Sequence, residues 1–460
     1  MGGELSAQCE SVAAIILAAG KGTRMKSEQA KVLHCVLGQP LLFRVLRVLE
    51  GLESSLNVVV VGHQAEKVEQ TCREAQIDKV AFALQSEQKG TGHAVQSAMP
   101  TLEGFDGRVL ILNGDMPLMT PDILRGLLEQ AQKEDAALTL LTAISAQHRD
   151  FGRIIRTDDG QVKRIQEAKD CSPEEYAVQE VNVGAYCAKA DFLRKFLPKL
   201  TSSNAQGELY LTDLVSLGYE AGEKVTAVIT QDISCALGVN SRADLARASA
   251  ILKERKLHEL MLSGVSVIDP ASTWIEEGVQ VGSDSEIWPG TVLQGNTQIG
   301  RDCVIGPNTQ ITDSIIGQNA RVVHSVLNEA TVGNGVNIGP FAYLRPKANI
   351  SDNVKIGDFV EIKNSNIGLG TKVPHLTYVG DSDIGSKTNL GCGTITCNYD
   401  GQAKHRTVIG DNVFIGSNSS LVAPVKIGDG AKTGAGAVII RDVAPGTVVV
   451  GVPAHDIVAK

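Results

Sequence analysis

Residues 278–311 read GVQVGSDSEIWPGTVLQGNTQIGRDCVIGPNTQI, and an aliphatic side chain recurs at every sixth position. A period of six fits neither the roughly 3.6 residues of a helical turn nor the alternation of an ordinary strand. It is typical of a β-helix, in which each short strand points one aliphatic side chain inward and a Gly-, Asn- or Asp-rich corner turns the chain. The recurring residues are Val281, Ile287, Leu293, Ile299, Ile305 and Ile311.

The same period continues over residues 332–362, 367–379 and 409–439. Because one coil cannot bury its own inner face, residues 279–443 are predicted to stack as about nine coils of three hexapeptides each. The period breaks between Leu390 and Ile409, where residues 397–406 read CNYDGQAKHR. We expect this polar stretch to form a loop outside the β-helix, and such loops are common sites of function.

Composition agrees with a narrow aliphatic interior and excludes several classes of protein. Aromatic residues make up 4% of the chain, and 27 of its 47 Gly residues follow Leu262. The formal net charge of −9 disfavours non-specific binding to nucleic acid or to a membrane surface. The nine cysteines show no CxxC spacing, so we expect reduced thiols in a cytoplasmic protein. The apolar run at residues 12–19 is too short to span a membrane and predicts a buried strand.

The amino-terminal half follows a different pattern. Between residues 12 and 233, short β-branched runs alternate with stretches of helical length, which predicts a mostly parallel α/β domain. Ser241 and Asp244 then form a helix-start signal ahead of apolar residues at helical spacing. We therefore predict a first domain over residues 1–240, a linker helix over 241–263 and a β-helix domain over 264–460.

A Gly-rich turn follows the first predicted strand, where residues 17–25 read LAAGKGTRM. Backbone N–H groups of such a turn can surround phosphate oxygens. The turn is not a dinucleotide fingerprint, because Met25 stands where the third Gly belongs, and it is not a P-loop, because Gly22 follows Lys21. Arg24 and Lys31 could give positive charge to a polyphosphate, and the alternative is that both are solvated surface cations.

A second polar motif follows a later apolar run, where residues 113–118 read NGDMPL. This places the carboxylate of Asp115 at the carboxyl end of a strand, where open α/β sheets bind ligands. Mg²⁺ bridged to phosphates would suit this carboxylate, and the alternative is an Asp in an ordinary turn.

These motifs, with KVLH at residues 31–34 and QSEQKGTGH at 85–93, resemble the sugar-1-phosphate nucleotidyltransferases. With the hexapeptides included, residues 12–452 resemble the bifunctional bacterial N-acetylglucosamine-1-phosphate uridyltransferase/glucosamine-1-phosphate N-acetyltransferase family. The resemblance implies a homotrimer with a Rossmann-like pyrophosphorylase domain and a left-handed parallel β-helix. It implies acetyl transfer from acetyl-CoA to glucosamine-1-phosphate, then Mg²⁺-dependent uridylyl transfer from UTP to N-acetylglucosamine-1-phosphate. The product would feed peptidoglycan and lipopolysaccharide precursors.

Two alternatives remain at this point. One is a monofunctional nucleotidyltransferase whose β-helix serves only for assembly, and the other is a non-catalytic regulatory subunit. His375, Asn389 and the loop over residues 398–404 argue against the first alternative. The joint presence of Arg24, Lys31, Asp115 and Asn240 argues against the second.

The resemblance assigns roles in the first domain residue by residue. Arg24 and Lys31 match residues that hold phosphates during catalysis, Thr212 matches a sugar-phosphate contact, and Asp115 and Asn240 match the Mg²⁺ ligands. The positions that match contacts to UTP or to UDP-N-acetylglucosamine are Leu17, Ala18, Ala19, Gly20, Lys31, Gln85, Gly90, Thr91, Gly152, Glu167, Asn182 and Asn240.

In the β-helix, Arg345 and Lys363 lie 18 residues apart, so they should stack one coil above the other. Two neighbouring cations favour an anion between them. His375 alone is more often a structural residue, but the resemblance makes it the general base of acetyl transfer in a site shared between subunits. Positions matching contacts to glucosamine-1-phosphate or acetyl-CoA are Arg345, Lys363, Tyr378, Asn389, Cys392, Asn398, Tyr399, Lys404, Ser417 and Ala435.

Two of these assignments, and one position near the end of the chain, carry further expectations. Lys404 matches a residue that an adjacent chain contributes. Cys392 stands where a smaller residue is usual, and we expect it to line the site without acting as a nucleophile. Gly451, just before Val452 and Pro453, stands where family members commonly carry Arg, which affects the contacts expected with the nucleotide end of coenzyme A.

Overall fold

The computed structural model describes residues 10–145 and 150–451. The chain divides into two compact units, Met1–Ile251 and Leu252–Lys460. Within the described ranges, no helix is both long enough and apolar enough to cross a membrane.

The first unit is built on one twisted sheet. Its main path has the strand order β11-β7-β10-β6-β1-β4-β5, in which only β10 runs antiparallel to both neighbours, and β8 with β9 joins it through β10. Strands β2 and β3 form a separate short hairpin. The strands are β1 Val12–Leu17, β2 Cys35–Val36, β3 Gln39–Pro40, β4 Leu56–Val61, β5 Val80–Leu84, β6 Arg108–Asn113, β7 Leu138–Ile144, β8 Arg153–Arg156, β9 Val162–Gln166, β10 Glu180–Lys189 and β11 Val225–Thr230.

Helices cover both faces of this sheet, and each face has its own apolar core. The first helix shows why: its five buried residues, Leu41, Leu42, Val45, Leu46 and Leu49, recur at helical spacing and form one apolar stripe. The helices are α1 Leu41–Glu50, α2 Ala65–Glu74, α3 Thr91–Ala98, α4 Pro121–Lys133, α5 Pro173–Tyr176, α6 Ala190–Phe196, α7 Asp213–Glu220 and α8 Arg242–Leu262.

Helix α8 begins where the sequence carries its start signal. The Ser241 hydroxyl accepts a hydrogen bond from the Asp244 backbone N–H at 3.2 Å, and the Asp244 carboxylate accepts one from the Asn240 backbone N–H at 3.2 Å. This capping satisfies one N–H group of the first helical turn, that of Asp244, and one just before the helix, that of Asn240. The division between the two compact units falls inside this helix, between Ile251 and Leu252.

The second unit is a stack of triangular coils with three parallel sheets, named here the first, second and third face. The first face contains Ser266–Val267, Glu286–Ile287, Val304–Ile305, Arg321–Val322, Asn337–Ile338, Lys355–Asp358, Lys372–His375, Asn389–Leu390, Phe414–Ile415, Lys432–Thr433 and Val448–Val449. The second face contains Trp274–Ile275, Val292–Gln294, Gln310–Thr312, Val326–Asn328, Tyr343–Leu344, Glu361–Lys363, Tyr378–Gly380, Ile395–Cys397, Ser420–Val422 and Val438–Ile439. The third face contains Gln280–Val281, Gln298–Ile299, Ile315–Ile316, Thr331–Val332, Asn349–Ile350, Asn366–Ile367, Ser382–Ile384, Thr407–Ile409 and Val425–Ile427.

The predicted range of the coils, 279–443, is too short at both ends. Val267 already pairs with Ile287, and Thr433 pairs with Val449. The six-residue pattern does not reveal the first coil, because eight positions separate Val267 from the next buried residue of the series, Ile275.

The predicted polar loop leaves the coil between the second-face strand Ile395–Cys397 and the third-face strand Thr407–Ile409. A backbone bridge joins Tyr399 to Lys404 within it. The strands on either side keep their pairing, since Thr396 aligns with Leu421 and Ile409 aligns with Ile384. The β-helix therefore carries this loop without losing its register.

Candidate active sites

The Gly-rich turn and the Asp115 motif meet at one edge of the first unit's sheet. Strands β1 and β6 are parallel neighbours, and Leu17 lies beside Asn113 at their carboxyl ends. The turn needs Gly22, whose φ is +59° and whose missing side chain would stand 2.7 Å from Cβ of Lys31. This close approach brings the Lys31 side chain back over the turn and toward the β6 end.

Lys31, Asp115 and Asn240 form a polar cluster at this edge. The Lys31 ammonium forms an ion pair with the Asp115 carboxylate, and its Nζ donates a hydrogen bond to Asn240 Oδ1 at 3.2 Å. The side chains of Lys31 and Asp115 are each only 15% exposed. The backbone carbonyl of Asp115 also accepts a hydrogen bond from the Val239 N–H at 2.9 Å, which places Asn240 beside it.

The donor set of this cluster fits a hard divalent cation. A carboxylate oxygen of Asp115 and the amide oxygen of Asn240 both face the position of one cationic group. Mg²⁺ is held by one or two protein oxygens and completes its shell with water and phosphate oxygens. Across residues 10–145 and 150–451, no group of three or more His, Cys, Asp or Glu residues is arranged to hold a metal ion.

A cleft of about 780 Å³ opens over this edge of the sheet. Its lining includes every residue that the sequence assigned to the uridylyl-transfer site except Thr212, which donates a hydrogen bond to the lining residue Glu167. The lining residues that were predicted are Leu17, Ala18, Ala19, Gly20, Arg24, Lys31, Gln85, Gly90, Thr91, Asp115, Gly152, Glu167, Asn182 and Asn240.

The side of the cleft near α3 presents amide and hydroxyl groups. Gln85 is buried, and its Nε2 donates to the Gly90 carbonyl at 3.0 Å. Thr91 begins α3, and its hydroxyl accepts a hydrogen bond from the Leu211 N–H at 3.1 Å. The Gln88 side chain donates to the Ala19 carbonyl at 2.6 Å, which ties this side of the cleft to the Gly-rich turn.

A further part of the cleft lining holds the carboxyl group of Glu167 in a poorly hydrated position. Burial raises the pKa of Glu167, although the Thr212 hydroxyl partly offsets this by donating to its Oε1 at 3.0 Å. Asn182 is held by two hydrogen bonds: its Nδ2 donates to the Tyr186 hydroxyl at 2.8 Å, and its Oδ1 accepts from the Gly184 N–H at 3.1 Å. These fixed polar groups suit recognition of sugar hydroxyl and amide groups.

Several lining residues were not found from the sequence: Gln88, Asn113, Glu208, Asp244 and Arg247. Arg247 lies inside the helix that was assigned only a linking role, and nothing in its spacing marks it as a cleft residue. Gln88 lies within the motif at residues 85–93 and Asn113 within the motif at 113–118, so the two motifs already indicated this part of the cleft.

In the second unit, His375 ends a first-face strand and its side chain is 55% exposed. Its Nδ1 lies 2.5 Å from Oδ1 of Asp358, its direct neighbour on the preceding coil. The hydrogen bond to His375 lowers the pKa of Asp358, which was not predicted as a site residue. A carboxylate on Nδ1 fixes the ring so that Nε2 can accept a proton from a ligand.

Arg345, Lys363 and Lys404 form a cationic cluster on the second face. Leu344 pairs with Ile362, which puts Arg345 and Lys363 on adjacent coils, as their spacing predicts. Arg345 donates to Glu361 at 2.8 Å, and this bond raises the pKa of Arg345. The neighbouring Lys404 lowers the pKa of Lys363, so two ammonium groups lie close together in one chain. An anion bound here would relieve their repulsion.

Two features of this cluster bear on the predicted sharing of the site between subunits. Lys404, which matches a residue from an adjacent chain, lies against Lys363 of its own chain. His375 lies on the first face and Lys363 on the second, so within one chain the predicted base and the cations lie on different faces.

Tyr378 and Asn398 meet beside the cationic cluster. A side chain at Gly380 would overlap the Tyr378 hydroxyl and would lie 2.7 Å from Nδ2 of Asn398, so only Gly allows both groups to approach. The Tyr399 side chain is 60% exposed, and its hydroxyl donates to the Gly401 carbonyl at 2.7 Å.

The remaining predicted residues follow the first face and its edge. Asn389 pairs with Lys372 and Phe414 on the first face. Cys392 and Ser417 occupy successive corners, since the Cys392 carbonyl accepts from the Asn418 N–H at 2.7 Å. The Ser417 carbonyl accepts from the Gly436 N–H at 2.7 Å, which brings Ala435 to the next corner. Residues 452–460, including Val452 and Pro453, lie outside the described part of the chain.

Comparison with known families defines the class of protein. Residues 14–164 match the MobA-like NTP transferase domain. Residues 278–313 and 406–441 match the bacterial transferase hexapeptide (six repeats). The chain is therefore a nucleotidyltransferase domain followed by a hexapeptide-repeat transferase domain, and the predicted fold, with its left-handed parallel β-helix, is confirmed.

Individual relatives extend over nearly the whole chain. The "Bifunctional protein GlmU" of Desulfitobacterium hafniense (strain Y51) is 47% identical over 438 residues, 95% of each chain. That of Pelobacter propionicus is 48% identical over 442 residues, 96% of each chain. Among solved structures, UDP-glucose pyrophosphorylase complexed with UDP-glucose covers 53% of this chain and 99% of its own, with 17% identity and a TM-score of 0.45.

The chain belongs to the family of bifunctional GlmU proteins. The prediction of a bifunctional enzyme, with nucleotidyltransferase and acetyltransferase activities, is confirmed, and the monofunctional alternative is set aside.

Proposed function

We propose that the protein converts glucosamine-1-phosphate to UDP-N-acetylglucosamine in two steps. Acetyl-CoA and the β-helix site give N-acetylglucosamine-1-phosphate, and UTP and the cleft then give UDP-N-acetylglucosamine and pyrophosphate. The observation that carries the proposal is the convergence of Lys31, Asp115 and Asn240 in a cleft lined by the other predicted residues.

In the uridylyl-transfer step, the phosphate oxygen of N-acetylglucosamine-1-phosphate attacks the α-phosphorus of UTP and pyrophosphate leaves. No covalent enzyme group is required, so the residues position the reactants and neutralise charge. Arg24 and Lys31 supply positive charge at the Gly-rich turn, and Gln85 offers an amide to the base. Asp115 and Asn240 would hold Mg²⁺, which when bound neutralises the phosphates and orients them.

In the acetyl-transfer step, the amine of glucosamine-1-phosphate attacks the thioester carbonyl of acetyl-CoA, and the C–S bond breaks to release coenzyme A. His375 takes the proton that the amine loses, and Asp358 stabilises the resulting imidazolium. Arg345, Lys363 and Lys404 bind the sugar phosphate. Tyr378, Asn389 and Asn398 contact the sugar, while Cys392, Ser417 and Ala435 line the path of acetyl-CoA.

Acetyl transfer also requires a homotrimer in this proposal. Phe341, Phe359 and Leu376, here called the apolar ridge, are 56–58% exposed on successive coils. The rings of Phe341 and Phe359 stack with centroids 5.4 Å apart, and Leu376 directly follows His375. An exposed apolar ridge of this kind favours association, and a second copy seated on it would bring a further face to His375.

The expected setting of the protein is the bacterial cytoplasm, where its product supplies peptidoglycan and lipopolysaccharide synthesis and so supports cell shape. Six cysteines of the described residues, among them Cys72, Cys187 and Cys303, are free thiols, which fits a reducing compartment. No nucleic-acid partner is expected of a chain with a net charge of −9.

One coupled assay tests both steps. The full chain is supplied with glucosamine-1-phosphate, acetyl-CoA, UTP and Mg²⁺, and the expected products are free coenzyme A, pyrophosphate and UDP-N-acetylglucosamine. If only UTP and preformed N-acetylglucosamine-1-phosphate react, the acetyl-transfer half of the proposal fails. If the cleft still catalyses uridylyl transfer after chelation of divalent cations, the Mg²⁺ requirement fails.

A further inference from the structure

Asp381 is a buried carboxylate beside the cationic cluster. The acetyl-transfer mechanism proposed above gives it no role. It directly follows the strand Tyr378–Gly380 and is 8% exposed. Its backbone N–H donates to the Lys363 carbonyl at 3.0 Å, and its carbonyl accepts from the Thr407 N–H at 3.2 Å. A carboxylate this buried requires partners. Here the backbone holds it between a second-face strand and the third-face strand that follows the loop carrying Lys404.

The partners of Asp381 come from the coils on either side. Asn364 Nδ2 donates to Oδ1 of Asp381 at 2.6 Å, and Asn398 Nδ2 donates to Oδ2 at 2.5 Å. Burial alone would raise the pKa of Asp381, but these two hydrogen bonds and the nearby Lys363 lower its pKa, so the group is ionised. Because an ionised carboxylate only accepts hydrogen bonds, it fixes both amides with their nitrogen atoms toward it.

This orientation matters for Asn398, which has only one other polar side-chain atom. With Nδ2 turned to Asp381, the carbonyl oxygen Oδ1 of Asn398 is left to accept a hydrogen bond from a ligand. The same amide lies beside the Tyr378 hydroxyl over Gly380, next to the cations. Reversing the amide would present a donor where the amine and hydroxyl groups of an aminosugar need an acceptor.

We propose that Asp381 is a positioning residue of the acetyl-transfer site, which orients Asn398 to accept a hydrogen bond from the aminosugar whose phosphate lies at Lys363. The inference rests on the proposed acetyl transfer to glucosamine-1-phosphate. Asp381 itself does not touch the reacting atoms, and its effect passes through the amide of Asn398.

The test is steady-state acetyl transfer by the full chain carrying Asp381→Asn. An amide at this position has one accepting oxygen, so it cannot hold both neighbouring amides, and kcat should fall about tenfold or more. KM for glucosamine-1-phosphate should not rise, because one negative charge beside Lys363 is removed. A purely structural role would instead change thermal stability and uridylyl transfer together with acetyl transfer.

Asp313→Asn is the matched control. Asp313 occupies the same column of corners with a φ of +45°, close to the +48° of Asp381, and accepts a hydrogen bond from the Asn296 N–H at 2.9 Å. It should leave kcat within about twofold of the wild type, as expected for surface positions away from the site. Equal kcat values for the two variants would overturn the inference.

A double variant gives a second, independent readout. If Asp381 acts through Asn398, Asp381→Asn should cause no further loss of kcat in an Asn398→Ala background. Additive losses would overturn the inference. Should Asp381→Asn fail to fold, Asn364→Ala tests the same arrangement, because it leaves the Asn398 contact in place and should keep kcat within about twofold. A tenfold loss there would also overturn it, whereas a wild-type chain without acetyl transfer would overturn the proposed function.

Discussion

The cleft of the first unit and the β-helix site of the second are both proposed to bind a sugar phosphate, but their surfaces differ in shape and exposure. The cleft is concave, and Lys31 and Asp115 are each 15% exposed within it. In the β-helix site, His375 is 55% exposed and Arg345 is 38% exposed on flat outer faces. The loops at the strand ends of an open sheet can surround a substrate, whereas one flat outer face of a β-helix cannot. We therefore expect the β-helix site, unlike the cleft, to need surfaces from further subunits.

Asp115→Ala gives the largest expected effect, and it should fall on the cleft alone. Removing the carboxylate takes away both the partner of Lys31 and an expected Mg²⁺ ligand, so uridylyl transfer should fall by at least about 10³-fold. Acetyl transfer should not change. Pyrophosphate release and coenzyme A release measure the two steps separately. Asp122→Ala, at an 87% exposed position on α4, is the control, and equal pyrophosphate release by both variants would remove Asp115 from the mechanism.

His375→Ala should give the reverse result in the same pair of assays. Loss of a general base should lower acetyl transfer by about 10²- to 10⁴-fold, with uridylyl transfer unchanged. Asp358→Asn should have a smaller effect, because an amide oxygen can still accept a hydrogen bond from the ring nitrogen but no longer stabilises its positive charge. Acetyl transfer that survives His375→Ala would mean that the base lies elsewhere.

The apolar ridge tests whether the second site needs a partner surface. Phe341 and Phe359 have φ of +58° and +57°, a conformation that Asn adopts readily, so the double change to Asn should not disturb the coils. The molar mass in solution should fall below that of a trimer, and acetyl transfer should fall about tenfold or more because the site loses a face. Uridylyl transfer should persist. Ile315→Asn, at a 50% exposed third-face position, is the control, and a monomeric wild type would contradict the trimer.

Glu167→Gln should give the smallest effect, a change in the pH dependence of stability. Because burial raises the pKa of Glu167 in the folded chain, its ionisation destabilises the fold as pH rises from its ordinary pKa through the raised value. The Gln variant lacks this loss, so its Tm at neutral pH should be slightly higher, while uridylyl transfer weakens. Thermal unfolding between pH 4 and pH 8 measures it. Glu174→Gln, at an exposed carboxyl, should show no such gain.

The sequence predicted the β-helix well because its core obeys one rule, an aliphatic side chain at every sixth position. The rule failed where extra residues enter a coil, as between Val267 and Ile275, since a turn can lengthen without disturbing the strands beside it. The cleft residues were predictable where they fall in motifs. Arg247 was not, because its place in the cleft depends on where the fold puts α8 and not on a local motif.

The sequence also did not predict the hydrogen-bond partners that site residues find on neighbouring coils. Asp358 meets His375, and Asp381 meets Asn364 and Asn398, only through register between coils. A motif search along the chain does not show these contacts, because each pair is 17 residues apart and follows from the number of residues in the intervening coil. If the number of residues in each coil were known, the positions of Asp358 and Asp381 beside their partners could be predicted.

The two units also differ in how far apart in the chain their contacting residues lie, and this affects when each can fold. In the first unit, β1 needs β6, which begins at Arg108, and Lys31 reaches Asn240 across 209 residues. In the second unit each strand pairs with one a single coil later, as Ile338 does with Ile356. Contacts between residues close in the chain form fast, and stacked repeats can grow from any starting coil. During synthesis, the cleft therefore has to wait for the start of α8, whereas the acetyl-transfer face can assemble one coil at a time as the chain emerges.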